Sequence, residues 1–163
     1  MRTLLLGMGN PILSDDAVGV RLARDFRARF QRLESAADLV VIEECSLGGI
    51  NLLDIIAGYE RLIVLDSIQT REGVPGDWRY FTAEALRETM NLSNIHDTNF
   101  ATALELGRRL GQDIPPESEI HIFAIEVQDV ITFSETMTPP LEAAYPAISE
   151  AIFQKALQLI VSN

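Results

Sequence analysis

Short runs of consecutive apolar residues recur along the chain and are separated by longer stretches of mixed polarity. Leu, Ile and Val fill four of these runs without alternating with polar residues. This pattern is typical of parallel strands that are covered by helices on both faces. The runs predict strands at residues 3–6, 39–42, 62–65 and 120–125.

The stretches between the runs have the periodicity of amphipathic helices. In the first of them, apolar residues recur every four positions, at Val18, Leu22, Phe26 and Phe30. Helices are predicted at residues 17–30, 50–57 and 100–110, with a last one from near Pro140 to about residue 161. The alternation of strands and helices predicts an α/β three-layer sandwich, with a mostly parallel twisted central sheet and helices on both faces.

A further strand is predicted at residues 78–81, which brings the sheet to about five strands. The segment before it, residues 72–77, is rich in turn formers and too short to hold a crossover helix. Parallel neighbours need such a crossover. This strand is therefore predicted to run antiparallel or to lie at an edge.

Composition narrows the class of protein. The 163 residues, 47% of them hydrophobic, suit one domain spanning residues 1–163. A formal charge of -11 argues against binding nucleic acid and against self-association, so a monomer is expected. Cys45 is the only cysteine, which suits a reducing compartment. No apolar run is long enough for a signal peptide or a membrane span, and a cytoplasmic location is predicted.

Acidic side chains follow three of the predicted strands. Asp15 and Asp16 come after the first strand, Glu44 ends the second and Asp66 ends the third. Ligands of open parallel sheets collect at the carboxyl ends of the strands, so these groups are expected to converge. His96 precedes a predicted helix and could overhang the same edge. Two Asp and one His would suit Zn, Ni, Mn or a similar ion.

The turn after the first strand also allows a nucleotide- or phosphate-binding interpretation. Gly7-Met8-Gly9 resembles the start of a phosphate-binding loop, whose backbone amides would face a pyrophosphate. The third glycine of that fingerprint is missing, and two acids occupy the helix start. A cation site is the favoured interpretation.

Each candidate residue also has a structural interpretation. Asp15 or Asp16 could cap the first helix, but only one of the two can do so, because successive helical side chains point about 100° apart. Asp66 could bond turn amides, and His96 could be a helix-start or surface residue. His121 is predicted to be a sheet side chain. Cys45 could be a nucleophile or, more simply, a small buried residue.

At this point the chain resembles the hydrogenase maturation endopeptidases. Gly7-Met8-Gly9-Asn10, followed by Asp15-Asp16-Ala17-Val18-Gly19, resembles the first signature of that family. Leu65-Asp66-Ser67 is similar to its second acidic position, and His96 to its histidine. Met137-Thr138-Pro139 is similar to the segment that leads into its last helix. The resemblance covers most of the chain.

The resemblance implies a metal-dependent endopeptidase, which is a hydrolase, with a single protein substrate. It would remove the C-terminal extension of a nickel-iron hydrogenase large-subunit precursor once nickel has been inserted. Asp16, Asp66 and His96 would be both the catalytic and the metal-contacting residues, and the nickel would arrive with the precursor. Two alternatives stay open: a non-catalytic, nickel-dependent assembly partner, and a nucleotide- or phosphate-binding domain.

Overall fold

The computed structural model describes residues 1–33, 37–46, 50–88 and 95–162. The strands are β1 (Thr3–Met8), β2 (Val40–Cys45), β3 (Arg61–Ile68), β4 (Trp78–Thr82) and β5 (Ile120–Glu126). The α-helices are α1 (Val18–Phe30), α2 (Ile50–Ile56), α3 (Ala83–Glu88), α4 (Ile95–Arg109) and α5 (Pro139–Val161). This is the predicted α/β architecture.

The strands form one sheet in the order β2-β1-β3-β5-β4. The pairs β1–β2, β1–β3 and β3–β5 are parallel. β4 lies at one edge and pairs with β5 in the antiparallel direction. The prediction of an antiparallel or edge strand at residues 78–81 is therefore confirmed on both counts.

Helices cover both faces of the sheet, because successive strand residues point to opposite sides. Leu5 and Ile63 face a core shared with α1 and α5. Leu4 and Leu62, one position earlier on each strand, face a second core shared with α2 and α4. Both faces of β1 and β3 are buried, which explains why their sequences lack polar alternation.

The order of the strands reverses at β1. β2 pairs with one side of β1, and β3 pairs with the other side. Gly19, near the start of α1, lies against the carboxyl ends of β1 and β3. A Cβ at this position would be 2.2 Å from the Leu65 carbonyl oxygen and 2.5 Å from that of Met8. The segment before α1 is thereby placed at the switch point, where open α/β sheets bind ligands.

The predicted helix boundaries differ from the observed ones where the sequence signal is weak. α4 begins at Ile95, five residues before the predicted start at Phe100, because its first turn is mostly polar. α3 was not predicted, since six residues are too few to show a helical period. No helix within the described ranges combines the length and the apolar character needed to cross a bilayer.

Candidate functional site

Asp16 lies at the switch point between β1 and β3. It belongs to a 3-10 turn, Ser14–Ala17, that precedes α1. Its Oδ2 accepts a hydrogen bond from the Asn10 backbone N–H at 2.8 Å, and its Oδ1 accepts one from the Ser67 hydroxyl at 2.9 Å. A carboxylate has about four lone-pair sites, so each oxygen can accept a further ligand. The residue is only 8% exposed, and its orientation is fixed by the loop after β1 and by β3.

The glycine turn after β1 serves this acid rather than a phosphate. Gly9 has φ +133°, and a Cβ there would be 1.9 Å from the Asp16 carbonyl oxygen, so only glycine fits. The Gly9 N–H donates to the Cys45 carbonyl at 3.0 Å. The Asn10 N–H donates to the Asp16 carboxylate. Because these two amides are already paired within the chain, the geometry does not support the phosphate-binding alternative.

Asp15 points away from Asp16 and holds the loop between β5 and α5. It is fully buried. Its Oδ2 accepts hydrogen bonds from the backbone N–H groups of Gln128 and Asp129, at 2.9 and 3.1 Å. Its Oδ1 accepts the N–H of Thr138 at 2.7 Å, and the Thr138 hydroxyl also donates to this carboxylate. One side chain therefore fixes both ends of the loop at residues 127–138.

The capping interpretation of Asp15 and Asp16 was wrong. α1 begins at Val18 with Ala17 as its N-cap, and no side chain caps either α1 or the preceding 3-10 turn. The added turn places both carboxylates before the helix, where they bond to other segments. The expectation that the two adjacent side chains diverge is consistent with the structure.

Asp66 lies in β3 near its carboxyl end, at the same edge of the sheet as Asp16. Its Oδ1 accepts the N–H of Ser67 at 2.8 Å. Ser67 therefore contacts both acids, through its N–H and through its hydroxyl. The structure thus brings Asp16 and Asp66 to one serine at the carboxyl ends of the strands.

His96 lies in the first turn of α4, but its side chain is outside the part of the chain that the structure describes. Its predicted role as a metal contact stays a prediction. Among the side chains that are described, no group of three His, Cys, Asp or Glu is arranged to hold a metal ion. The predicted metal-contacting set of Asp16, Asp66 and His96 includes the His96 side chain, which lies outside the described part of the chain.

Glu44 does not join the acidic residues at the switch point. Its carboxylate pairs with Arg24 at 2.9 Å and with Arg27 at 3.2 Å, both on α1. The hydrogen bond from Arg24 lowers the pKa of Glu44, and Arg27 adds to this effect. The expectation that Glu44 converges with Asp16 was wrong, because α1 carries two arginines within reach of β2. Cys45 is buried in the core shared with α2 and α4.

His121 lies near the amino end of β5, at the opposite edge of the sheet. Its Nδ1 is 2.9 Å from the Tyr80 hydroxyl, and the two rings are stacked. Its Nε2 is 3.8 Å from Glu119. Burial lowers the pKa of His121, and the nearby charge of Arg61 lowers it further. His121 is a buried sheet side chain, consistent with its interpretation from the sequence.

Sequence reasoning missed the residues that orient the two acids. Ser67 directly follows Asp66, and a hydroxyl at that position was a signal that could have been used. The partners of Asp15 gave no such signal, because Gln128 and Thr138 lie more than 110 positions away. Glu126 was also missed; it is buried at the carboxyl end of β5 and accepts hydrogen bonds from the N–H and hydroxyl of Thr70.

Comparison with known proteins places this geometry in a family. The family model described as hydrogenase maturation protease (HycI) matches residues 20–155. This range begins after Asp15 and Asp16, so it is independent of the signature on which the resemblance first rested. The match extends through β5 and most of α5.

Curated relatives and solved structures agree with the family model. The chain is 25% identical over 161 residues to the hydrogenase 2 maturation protease of Escherichia coli (strain K12), covering 98% of this chain and 96% of that protein. It is 25% identical over 152 residues to the hydrogenase expression/formation protein HupD of Rhizobium leguminosarum bv. viciae, covering 91% and 71%. The structure of the hydrogenase maturating endopeptidase HybD from E. coli superposes with a TM-score of 0.73 at 25% identity, covering 97% and 93%. Sequence and structure together show that the chain belongs to the hydrogenase maturation protease family.

Proposed function

We propose that this protease removes the C-terminal extension from the precursor of a nickel-iron hydrogenase large subunit after nickel has been inserted. The observation that carries the proposal is the placement of Asp16. Its carboxylate lies at the switch point of the sheet, is held by Asn10 and Ser67, and retains capacity for another ligand. Membership of the family supplies the reaction class, cleavage of a peptide bond.

Nickel in this proposal is part of the substrate and signals that the precursor is ready. Asp16, Asp66 and His96 would contact it with two carboxylates and one imidazole. Oxygen and nitrogen donors of this kind suit borderline divalent ions. Three protein ligands leave coordination positions for groups of the precursor or water, so the purified protein is expected to lose metal on dialysis. A carboxylate at the same edge can accept a proton during hydrolysis.

The test is to incubate the purified protein with precursor and to weigh the products by mass spectrometry. Nickel-loaded precursor is expected to be shortened by the mass of its extension, and metal-free precursor is expected to stay intact. A precursor that was made without the extension serves as the control. Shortening of both forms would contradict nickel as the signal. Binding of the loaded precursor without shortening would instead favour the non-catalytic assembly partner.

A further inference from the structure

Three large apolar side chains are exposed on two loops beside the acidic pair. Ile12, on the loop after β1, is 48% exposed. Ile131 and Phe133, on the loop between β5 and α5, are 81% and 79% exposed. Ile12, Ile131 and Phe133 are called the apolar loop surface below. Exposed apolar groups clustered in this way mark interaction sites more often than isolated ones do.

The two loops are joined to each other and are held by internal hydrogen bonds. The Ser134 N–H donates to the Ile12 carbonyl at 2.9 Å, and the Ser14 N–H donates to the Ser134 carbonyl at 3.2 Å. The Asp129 carboxylate accepts the N–H groups of Ile131 and Thr132, each at 3.0 Å. Because the backbone is already ordered, a partner can bind these side chains without meeting the full cost of fixing the loops.

The apolar loop surface is continuous with the candidate site. Asn10 donates its backbone N–H to Asp16 and accepts the Ile12 N–H on its side-chain Oδ1, at 3.1 Å. One short loop therefore carries an exposed apolar side chain and also contacts the acid at the switch point. Asp15 anchors the second loop from its position next to Asp16. A polypeptide bound to the apolar loop surface would therefore lie beside the loop that holds Asp16.

A cleft of about 150 Å³ adjoins this surface, with Pro11 and Met137 in its wall. Three of the charged residues that line it have partners within the chain: Arg21 with Glu142, Arg24 with Glu44, and Asp25 with the Tyr145 hydroxyl. Because both arginines are paired and Pro11, Val20 and Met137 form part of the wall, the cleft suits an apolar side chain. Glu135 also lines the cleft and is exposed to solvent.

We propose that the apolar loop surface and this cleft dock an apolar segment of the precursor, with a positively charged residue of that segment next to Glu135. The inference rests on the proposed function and assigns the surface that receives the substrate polypeptide. Charge supports this occupant, because the chain carries a formal charge of -11 and an acidic segment would be repelled. A second copy of this chain would carry the same charge and is disfavoured for that reason.

The test uses the double variant Ile131→Ser/Phe133→Ser. The dissociation constant for nickel-loaded precursor is measured by biolayer interferometry, and cleavage is measured in parallel. We expect binding to weaken by about tenfold or more, as for exposed anchors at interfaces. The matched control is Leu110→Ser, in which an apolar residue that is 64% exposed is replaced. It lies close to Asp113, whose carbonyl bonds to Gly58 just before β3, at the other edge of the sheet.

The outcomes separate this inference from the proposed function. Wild-type binding by the double variant overturns the docking surface, whether or not the protein cleaves the precursor. Weakened binding with an unchanged melting temperature supports the surface even if cleavage is absent. A separate charge reversal, Glu135→Lys, is also expected to weaken binding, because it would repel the positively charged residue of the precursor. A wild-type dimer in solution that the double variant abolishes would show that the surface pairs two copies, and would overturn the proposal.

Discussion

Strands β3 and β5 carry basic groups near their amino ends and acids near their carboxyl ends. These two ends of the sheet are called the amino edge and the carboxyl edge below. Arg61 and His121 lie near the amino ends of these strands, whereas Asp66 and Glu126 lie near their carboxyl ends. Arg61 is buried and pairs with Glu119 at 2.7 Å. It also donates to the carbonyls of Leu159 and Ser162, at the end of α5.

The two edges differ in how their charges are compensated. At the amino edge, a guanidinium meets a carboxylate, and the pair ties α5 to the sheet. At the carboxyl edge, Asp15, Asp16 and Glu126 accept hydrogen bonds from backbone N–H groups and hydroxyls, which are neutral donors. In the proposed function, a cation that arrives with the precursor supplies the charged partner that these hydrogen bonds lack. The two edges therefore differ in the donors that their carboxylates bind: a charged guanidinium at the amino edge and neutral groups at the carboxyl edge.

The largest effect is expected from substitutions at the carboxyl edge that leave the amino edge unchanged. We expect Asp16→Asn to slow shortening of the precursor by roughly 100-fold or more, because the charge that favours a divalent ion is lost while the side-chain oxygen remains. Asp66→Asn and His96→Ala are expected to behave alike. The measurement is the rate of precursor shortening on a gel, paired with thermal melting to show that each variant folds.

The matched control for these variants is Asp54→Asn, on an exposed position of α2. It removes the same charge from a position outside the candidate site and is expected to leave the rate unchanged. If Asp16→Asn processed its precursor at the wild-type rate, Asp16 would not be the metal contact, even though the family assignment would stand.

The second effect concerns stability at the carboxyl edge. Asp15→Ala removes the acceptor for Gln128, Asp129 and Thr138, leaving several partly buried donors without this partner. We expect a loss of about 3 kcal/mol in the free energy of unfolding, or roughly 10 °C in melting temperature. A helix cap would cost only about 1 kcal/mol. Urea denaturation measures the difference, with Asp15→Asn as the variant that keeps one acceptor oxygen; a loss below about 1 kcal/mol would contradict the anchoring role.

The third effect isolates the amino edge. Arg61→Met keeps the apolar stem of the side chain but removes the donors for Glu119, Leu159 and Ser162. We expect the protein to lose about 2 kcal/mol of stability, because a buried ion pair is broken on one side and Glu119 is partly exposed. The rate of processing per folded molecule is expected to stay at the wild-type value. A slower rate at full folding would show that the two edges are coupled.

The smallest effect is a dependence on pH at the amino edge. The pKa of His121 is lowered in the folded protein, chiefly by burial, so the unfolded chain binds a proton more readily. Its contribution to stability is therefore complete above the unfolded pKa of about 6.5 and is lost as the pH falls toward the folded pKa. Denaturant midpoints at pH 5.5 and 7.5 test this. His121→Asn is expected to show a smaller difference between the two than the wild type, and an equal difference would exclude His121 as the source.

Much of the fold could be predicted because it depends on local composition. The apolar runs of β1 and β3 are long enough to identify buried strands, and the segment before Trp78 is too short for a crossover. The carboxyl edge could be located for the same reason, since Asp16 and Asp66 each follow such a strand. The length of the apolar runs and the spacing of apolar residues carry this information, and both can be read without knowing which distant residues come into contact.

The roles within the acidic pair could not be read from the sequence. Asp15 and Asp16 are chemically identical, and their difference arises from partners that only the folded chain supplies. Ser67 reaches Asp16 across 51 positions, and Thr138 reaches Asp15 across 123. Glu44 shows the same limit in reverse. It lies near the carboxyl end of a strand as Asp66 does, yet its carboxylate pairs with two arginines of α1.

The anchoring of Asp15 also bears on how the protein is made. Its hydrogen bonds join residues that are 113 to 123 positions apart, and such distant contacts form late because the intervening chain must first be brought together. During synthesis, Asp15 emerges long before Thr138 does. A chain released before Thr138 has no partner for one side of this carboxylate, and the loop that carries Phe133 stays unfastened. The carboxyl edge is therefore completed only once translation has passed the start of α5.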